Sequence, residues 1–512
     1  MSEFELDPDF VEVNDLEASP KRYDFLHALD LDQDVNRRLN LLLSGIESGN
    51  SDVYLTPLAK HLPPNTILGM WDNVFNSNID SINDALLDLE ESNRSKYGPR
   101  SIAKKWSERK TDVLAYYKGR PKHYSPRFGK SDSDLLLPNS LSLRPISLER
   151  GVKYLKNNTN SGLPFYCRKS KVKERLIRDF TELSLRSDPC ILFTRTQEQG
   201  KTRNVWGFPI IDTLKETCFY QPLLSYQKKL SWRAAICSPK ETDIAVTRMI
   251  NEALSDSSKV IISIDFSAFD ASVPQHLIDE SFKYILSLYQ PKFWTDIEHI
   301  CHRFNTIELL TPSGVMSGCH GVPSGSTFTN EVDSLVQYFA SFYTSVKIYD
   351  FQIQGDDGLY LIDIKDVSKF IEGMTKQGFL VNEQKTLIDQ NSCSYLQRLY
   401  HTDYLCSNGV IGGIYSTYRA LCRLIYQERW SKFEDFGLTG SDYYSIRAIS
   451  ILENVKYHPL HKELVKFVLS LDKYNLKFDP NSIAKYVLML QDGTGSGGLL
   501  DNQYGDSVGG IA

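Results

Sequence analysis

The sequence is short of the features that staple small secreted proteins or anchor membrane proteins. Nine cysteines are scattered over 512 residues, an odd number with no Cys-x-x-Cys pair. That excludes a disulfide framework and a zinc ribbon, and fits reduced thiols in a cytosol-like compartment. No apolar run approaches the roughly 18 residues of a membrane span. The N-terminus, MSEFELDPDF, is acidic and lacks the charged-then-apolar pattern of a signal peptide. No internal repeat is present. A basic excess is missing too: 58 Lys and Arg against 64 Asp and Glu leave −6. Any affinity for nucleic acid must therefore come from where the charges sit, not from their sum.

What is present is ordinary for a large globular chain. Hydrophobic residues make up 41% and charged residues 24%, enough for a substantial core and roughly three domain-sized units. The first twenty residues carry seven acids and no Lys or Arg. Residues 24–100 read as mostly helical, broken at Leu62-Pro63-Pro64. Two later segments reverse the global charge. Lys104–Lys130 holds nine Lys and Arg against two acids, with Trp106, Tyr116, Tyr117, Tyr124 and Phe128 interleaved. Arg168–Arg203 holds ten against five. Cations for phosphates with flat rings for bases are what a nucleic-acid channel needs. A lone charged run is more often a solvated face, so the weight lies on having two.

The middle of the chain is more regular. Val260–Ile264 is a short β-branched run, read as a buried strand ending at Asp265. After Thr329, Val332, Leu335, Val336 and Phe339 recur at helical spacing. Val346–Ile353 and Leu359–Leu361 are strand-like, and Gln354-Gly355-Asp356-Asp357-Gly358 between them predicts a β-hairpin. Asp366 is placed to cap a further helix that Gly378 stops. Strand, helix, hairpin, helix predicts an α+β sheet domain with helices on one face. The last hundred residues read as mainly helical, and the tail from Gly493 to Ala512 is rich in glycine.

Asp265 at a strand end and Asp356 and Asp357 at a hairpin tip would converge if strand and hairpin are neighbours. Three clustered carboxylates repel one another and require cations. Hard divalent ions take oxygen ligands, and a pair of them is the usual device for in-line phosphoryl transfer. Alone, Gly-Asp-Asp-Gly is also a good hairpin turn and Asp265 an ordinary strand end. The loop Gly321-Val322-Pro323-Ser324-Gly325-Ser326-Thr327-Phe328-Thr329-Asn330 precedes a helix, with glycines for close backbone approach and hydroxyls as donors.

At this point the motifs resemble a known family. Ile264-Asp265-Phe266-Ser267-Ala268-Phe269-Asp270 resembles polymerase motif A, Gly321–Gly325 with Thr329 motif B, and Gly355-Asp356-Asp357 motif C. They stand in order, with Asp356 lying 91 positions after Asp265. Gly200-Lys201-Thr202-Arg203 resembles motif F, Ser161–Pro164 motif G, Asn382–Lys385 motif D and Tyr395–Arg398 motif E. Together, over about 157–400, they resemble viral RNA-dependent RNA polymerases, most like the picobirnavirus enzymes, with partitivirus enzymes next.

That resemblance implies an α+β right-hand polymerase of fingers, palm and thumb, with an antiparallel-sheet palm and a closed fingers–thumb channel. Residues 1–94 would form an N-terminal bridge, 95–255 the fingers, 256–274 the palm with motif A, and 275–315 a fingers insertion. Residues 316–403 would hold palm motifs B–E, and 404–512 the thumb and flexible tail. Asp265, Asp356 and Asp357 would hold two Mg²⁺ or Mn²⁺ ions, and Lys385 would act as general acid. Lys201, Arg203 and Arg195 would line the triphosphate, and Ser324, Gly325 and Thr329 the ribose and template backbone. Motif B departs from the family pattern: Asp333 stands where an Asn reads the ribose, which leaves that role open between Asn330 and Asp333, acting with Asp270. The implied activity replicates and transcribes a double-stranded RNA genome, with initiation that needs no primer. Template RNA, NTPs and viral capsid protein are the implied partners, without a membrane, in the virion interior and host cytoplasm. Gly-Asp-Asp and Lys-Thr-Arg count against a reverse transcriptase. A virion RNA-binding protein would bind through the basic segments and ignore loss of Asp356.

Overall fold

The computed structural model describes residues 23–59, 61–125, 142–157 and 159–494, with the backbone alone for 490–494. The acidic first twenty residues, the end of the first basic segment with Phe128 and Lys130, and the tail from 495 lie outside the described residues.

Eight strands make two four-stranded sheets: β1 (Cys190–Thr196), β2 (Thr202–Gly207), β3 (Lys259–Ile264), β4 (Leu309–Thr311), β5 (Gly314–Met316), β6 (Ile348–Gln354), β7 (Asp357–Asp363) and β8 (Leu387–Asp389). The first sheet has the order β2-β1-β4-β5, and the parallel pairing of β1 with β4 ties residues 190–207 to 309–316. The second, β6-β7-β3-β8, is antiparallel throughout. The main helices are α1 (Gln33–Ser48), α2 (Pro64–Asn76), α3 (Asp84–Arg94), α4 (Trp106–Leu114), α5 (Ile210–Gln227), α6 (Pro239–Ser255), α7 (Gln275–Leu288), α8 (Trp294–Thr306), α9 (Thr329–Tyr343), α10 (Val367–Lys376), α11 (Thr417–Ile425), α12 (Gly440–Glu453), α13 (His461–Leu471) and α14 (Pro480–Thr494). None is long and apolar enough to cross a membrane.

The second sheet is covered on both sides, where the sequence suggested one. Ile262, Ile264, Ile353, Tyr360 and Ile362 pack with Val332, Leu335, Val336 and Phe339 of α9 and with α7 and α10. Ile261, Leu359 and Leu361 on the reverse face pack with Val246, Met249, Ile250 and Ala253 of α6. Consecutive buried isoleucines in β3 are the local sign of such a two-faced strand, since an alternating pattern would leave one face wet. Asp366 precedes α10 but makes no side-chain cap, while Gly378 at φ 105° lies just past its end.

The aromatics of the first basic segment also differ from expectation. Trp106 and Tyr117 are core residues beside Trp206, and Tyr124 donates to Asp279 Oδ1 at 2.8 Å. Trp106, Arg109 and Val113 are buried on one face of α4 and Tyr117 in the turn that follows, so the Trp106 and Tyr117 rings turn inward and not toward bases. The N-terminal helices contact two parts of the chain. Val35, Leu39 and Leu43 of α1 pack with Ile191 and Leu310. Trp71 and Phe75 of α2 pack with Leu421, Ile425, Leu464 and Phe467.

Candidate active site

Strand register sets the site. Ile264, the last residue of β3, pairs with Gly358, and Gln354 pairs with Asp357 across the β6–β7 hairpin. Asp265 therefore leaves the sheet level with Asp357, next to the two-residue turn Gly355-Asp356. Gly355 has φ 65°, which favours glycine, and a Cβ there would lie 3.1 Å from Asn330 Nδ2. Burial, then the charges of Asp356 and Asp265, pushes Asp357 up to about 7. Asp356 is also raised by burial and by Asp265, with Arg203 and Lys201 pulling the other way. Among the described residues no three His, Cys, Asp or Glu side chains form a ready-made metal group. Two repelling carboxylates backed by a third nonetheless suit a hard divalent ion that takes its remaining oxygens from phosphate and water.

The segment after α10 zips onto Asp265. Asn382 N donates to Asp265 O at 2.8 Å, Asp265 N to Thr386 Oγ1 at 3.3 Å, and Ser267 N to Leu380 O at 2.8 Å. This brings the Lys385 backbone beside the strand end. From the first sheet, Lys201 and Arg203 face the same place. The Lys201 amine is lowered by burial, Arg203 and Lys385, and raised by Asp265 and Asp356. Arg195 pairs with Arg203 in register, but its Nε lies 3.7 Å from Glu428 Oε1, toward the C-terminal segment.

The 321–329 loop is clamped between these parts. Val322 N donates to Asp270 O at 2.8 Å, and a Cβ at Gly321 would collide with that carbonyl. A Cβ at Gly325 would collide with Trp206 O, while Ser324 Oγ donates to Asn204 O at 3.3 Å. Thr329 Oγ1 turns back onto the loop, to Pro323 O at 2.7 Å. Glu216 of α5 accepts from Ser326 Oγ and Thr327 N, both at 2.7 Å, and burial pushes its carboxyl up to about 7.

Helix α9 separates the two candidates for the ribose. Asn330 Oδ1 accepts from Gln354 Nε2 at 2.8 Å, so its amide supports the hairpin. Asp333 is the residue brought to Asp270: burial, then Asp270 and Asp356, raises it well above the carboxylate range. Asp270 itself is pushed up to about 7 by burial and Asp356. Further along, Ser334 Oγ accepts from Gly355 N at 2.8 Å. Gln337 Nε2 donates to Gly355 O at 3.1 Å and Asp356 O at 3.0 Å, and its Oε1 accepts from Tyr360 OH at 2.9 Å.

Glu216, Ser334 and Gln337 escaped the sequence reading. The one available signal was their polarity inside apolar helices, at i, i+4 and i+7 for Asn330, Ser334 and Gln337. His320 is a core residue, against Trp206 at 4.4 Å between ring centroids, its imidazole pushed down to about 4 by burial.

Known proteins resemble the chain over most of its length. The family profile described as viral RNA-dependent RNA polymerase matches residues 143–412. The potential RNA-dependent RNA polymerase of human picobirnavirus (strain Human/Thailand/Hy005102/-) is 29% identical over 502 residues, covering 92% of this chain and 89% of that protein. The RNA-directed RNA polymerase of Cryptosporidium parvum virus 1 (strain KSU-1) is 27% identical over 232 residues, 42% of this chain and 43% of that one. A crystal structure of the RNA-dependent RNA polymerase of a human picobirnavirus superposes with TM-score 0.77 at 25% identity, covering 97% of this chain and 98% of the other. Its insertion-loop deletion mutant gives 0.77 at 26%, over 94% and 99%. The match extends over more than half of the chain, and the chain belongs to the viral RNA-dependent RNA polymerases, as an RNA-directed RNA polymerase.

Proposed function

We propose that this enzyme replicates and transcribes a double-stranded RNA virus genome by two-ion nucleotidyl transfer from NTPs. The observation that carries the reading is the Ile264–Gly358 register, which brings Asp265 level with Asp357 and within one residue of Asp356, whose carboxyl feels the Asp265 charge. Mg²⁺ or Mn²⁺ bound by Asp265 and Asp356, with Asp357 in support, would activate the RNA 3′-OH and offset charge on the leaving pyrophosphate. Lys201 and Arg203 hold the triphosphate, Lys as a point charge and Arg through its fork. Arg195 flanks the same wall. Lys385 delivers a proton to the pyrophosphate. Asp270 and Asp333 receive the ribose, while Asn330 supports the hairpin from behind. Ser324, Gly325 and Thr329 shape the loop that meets ribose and template backbone.

In right-hand terms, 95–255 and 275–315 are fingers, 256–274 and 316–403 palm, and 404–512 thumb. Residues 1–94 bridge fingers and thumb to close the channel, a reading supported by the packing of α1 on β1 and of α2 on α11. Initiation proceeds without a primer, with the glycine-rich tail as a candidate prop for the first nucleotide. Capsid protein is the expected partner, in the virion interior and host cytoplasm. The test is NTP incorporation on unprimed and primed single-stranded RNA with Mg²⁺ or Mn²⁺. Asp356→Asn and Asp265→Asn should each lower it by about 10³-fold or more, ~4 kcal/mol of barrier. Activity surviving Asp356→Asn would mean that the ion site is elsewhere. RNA binding with no incorporation in any form would favour a binding protein.

A further inference from the structure

Cations outnumber acids beside the carboxylate centre, and they come from four separate stretches of the chain. Gln199 Nε2 donates to Ser95 O at 2.9 Å, Arg100 Nε lies 2.9 Å from Glu198 Oε1, and Cys422 Sγ donates to Gly98 O at 3.4 Å. These contacts knit segment 95–100, the β1–β2 turn and α11 into one junction. It carries Lys96, Arg100, Lys201, Arg419 and Arg423, and meets Lys385 from the segment zipped onto Asp265.

Glu198 faces Arg100, Arg419 and Arg423, which together hold its carboxyl below the ordinary glutamate range although burial opposes them. The Lys96 amine is lowered by burial and then by Arg419, Lys385 and Lys201, with Glu198 opposing. Arg419 and Arg423 both stack at 5.7 Å on the Tyr415 ring, and the Nε of each is buried without a hydrogen-bond partner. Lys96, Lys201 and Lys385 remain exposed.

Six cations, with Glu198 inside the junction and Asp265 and Asp356 at its edge, repel one another, and a polyanion offsets that cost. An RNA backbone spreads its charge along an extended groove. This cluster is compact, and Lys201 ties it to Asp265 and Asp356. A terminal polyphosphate matches that shape better.

We propose that Lys96, Arg419 and Arg423 bind the phosphates of a nucleoside triphosphate beside the carboxylate centre, extending the Lys201–Arg203 subsite with side chains from outside residues 143–412. The inference rests on the polymerase reading above and adds the N-terminal segment and α11 to its substrate site. Both therefore act on nucleotide affinity, not on the chemical step.

The test combines steady-state NTP kinetics on a primed template, equilibrium binding of a fluorescent non-hydrolysable ATP analogue, and single-stranded RNA binding across salt concentrations. Lys96→Ala and Arg419→Ala should each raise KM and the analogue Kd about 5–10-fold, the scale of one net hydrogen bond, with kcat and RNA affinity within about twofold. Lys96→Arg should restore both values. Lys376→Ala, at a side chain 77% exposed on α10, serves as the control. Unchanged KM and Kd in both alanine variants would overturn the proposal. So would a loss of RNA affinity with a shallower salt slope, which would assign the cluster to the RNA backbone. Analogue binding is also read on Asp356→Asn, so a failure of the polymerase reading leaves this result interpretable.

Discussion

At the scale of a single residue, burial decides what Asp333 can do. It is 5% exposed, its Oδ1 has no partner, and Asp270 and Asp356 add like charge to the cost of ionising it. A carboxyl kept protonated offers one donor and one acceptor in the shape of an asparagine amide. The departure from the family's Asn is therefore smaller in chemistry than in letters. Asp333→Asn should keep incorporation within about threefold, whereas Asp270→Ala should lower the preference for ATP over dATP about tenfold, the scale of one hydrogen bond to the 2′-OH. The ratio of kcat/KM for the two nucleotides measures both. If Asp333→Asn is as damaging as Asp333→Ala, the residue works as an anion and this account of it is wrong.

Helix α9 is the element that joins the parts of the site: one face packs Val332, Leu335, Val336 and Phe339 into the core, another saturates the hairpin turn. Gln337→Leu would remove the donor to the Gly355 and Asp356 carbonyls and one partner of Tyr360 OH, so it should cost about 1–3 kcal/mol of stability. It should also weaken Mn²⁺ binding, followed by paramagnetic resonance, since it frees the Asp356 backbone. The 321–329 loop has its own latch in Glu216. Free glutamate titrates near 4.3, but burial holds Glu216 at about 7. The folded chain therefore binds the extra proton between those values. That contribution is fully present below about pH 4 and is lost as pH rises through 7. Glu216→Gln should flatten this part of the Tm curve between about pH 5 and 8; an unaltered curve would mean that the proton is held elsewhere. Neither residue was legible beforehand, whereas β3, the β6–β7 hairpin and α9 were. Apolar period and turn chemistry act over a few neighbours, so Val260–Ile264 and Gly355-Asp356 announce themselves. Glu216 meets Ser326 across 110 positions, and Gln337 looks like any solvent-facing polar residue until the hairpin folds beneath it.

Across the whole molecule, one buried carboxylate ties the N-terminal region to the C-terminal helices. Glu90 of α3 accepts from Thr417 N at 2.7 Å, from Thr417 Oγ1 at 2.8 Å and from Ser416 Oγ, all at the N-terminus of α11. His458 Nε2 lies 2.8 Å away, and both side chains are fully buried. Around this knot, Trp71 Nε1 donates to Thr417 Oγ1 at 3.3 Å, and Tyr54–Leu55 pairs antiparallel with Tyr426–Gln427. No sequence pattern marked Glu90 out, because a glutamate four residues before Arg94 reads as an ordinary helix-surface acid. Burial alone would raise its carboxyl, but His458, Ser416 and Thr417 reverse the sign and hold it below the usual glutamate value. A depressed value means that the folded chain releases this proton more readily. Its contribution to stability is thus present above about pH 4.3 and lost as pH falls through the depressed value. Glu90→Ala leaves the α11 amides and His458 unpaired in the interior, at a cost of about 3–5 kcal/mol. Because the carboxylate belongs to both halves of the contact, hydrogen exchange should accelerate together in 84–94 and 417–425 while β3 and β7 keep their protection. Faster exchange in α11 alone would show that Glu90 caps one helix and does not lock the two regions together.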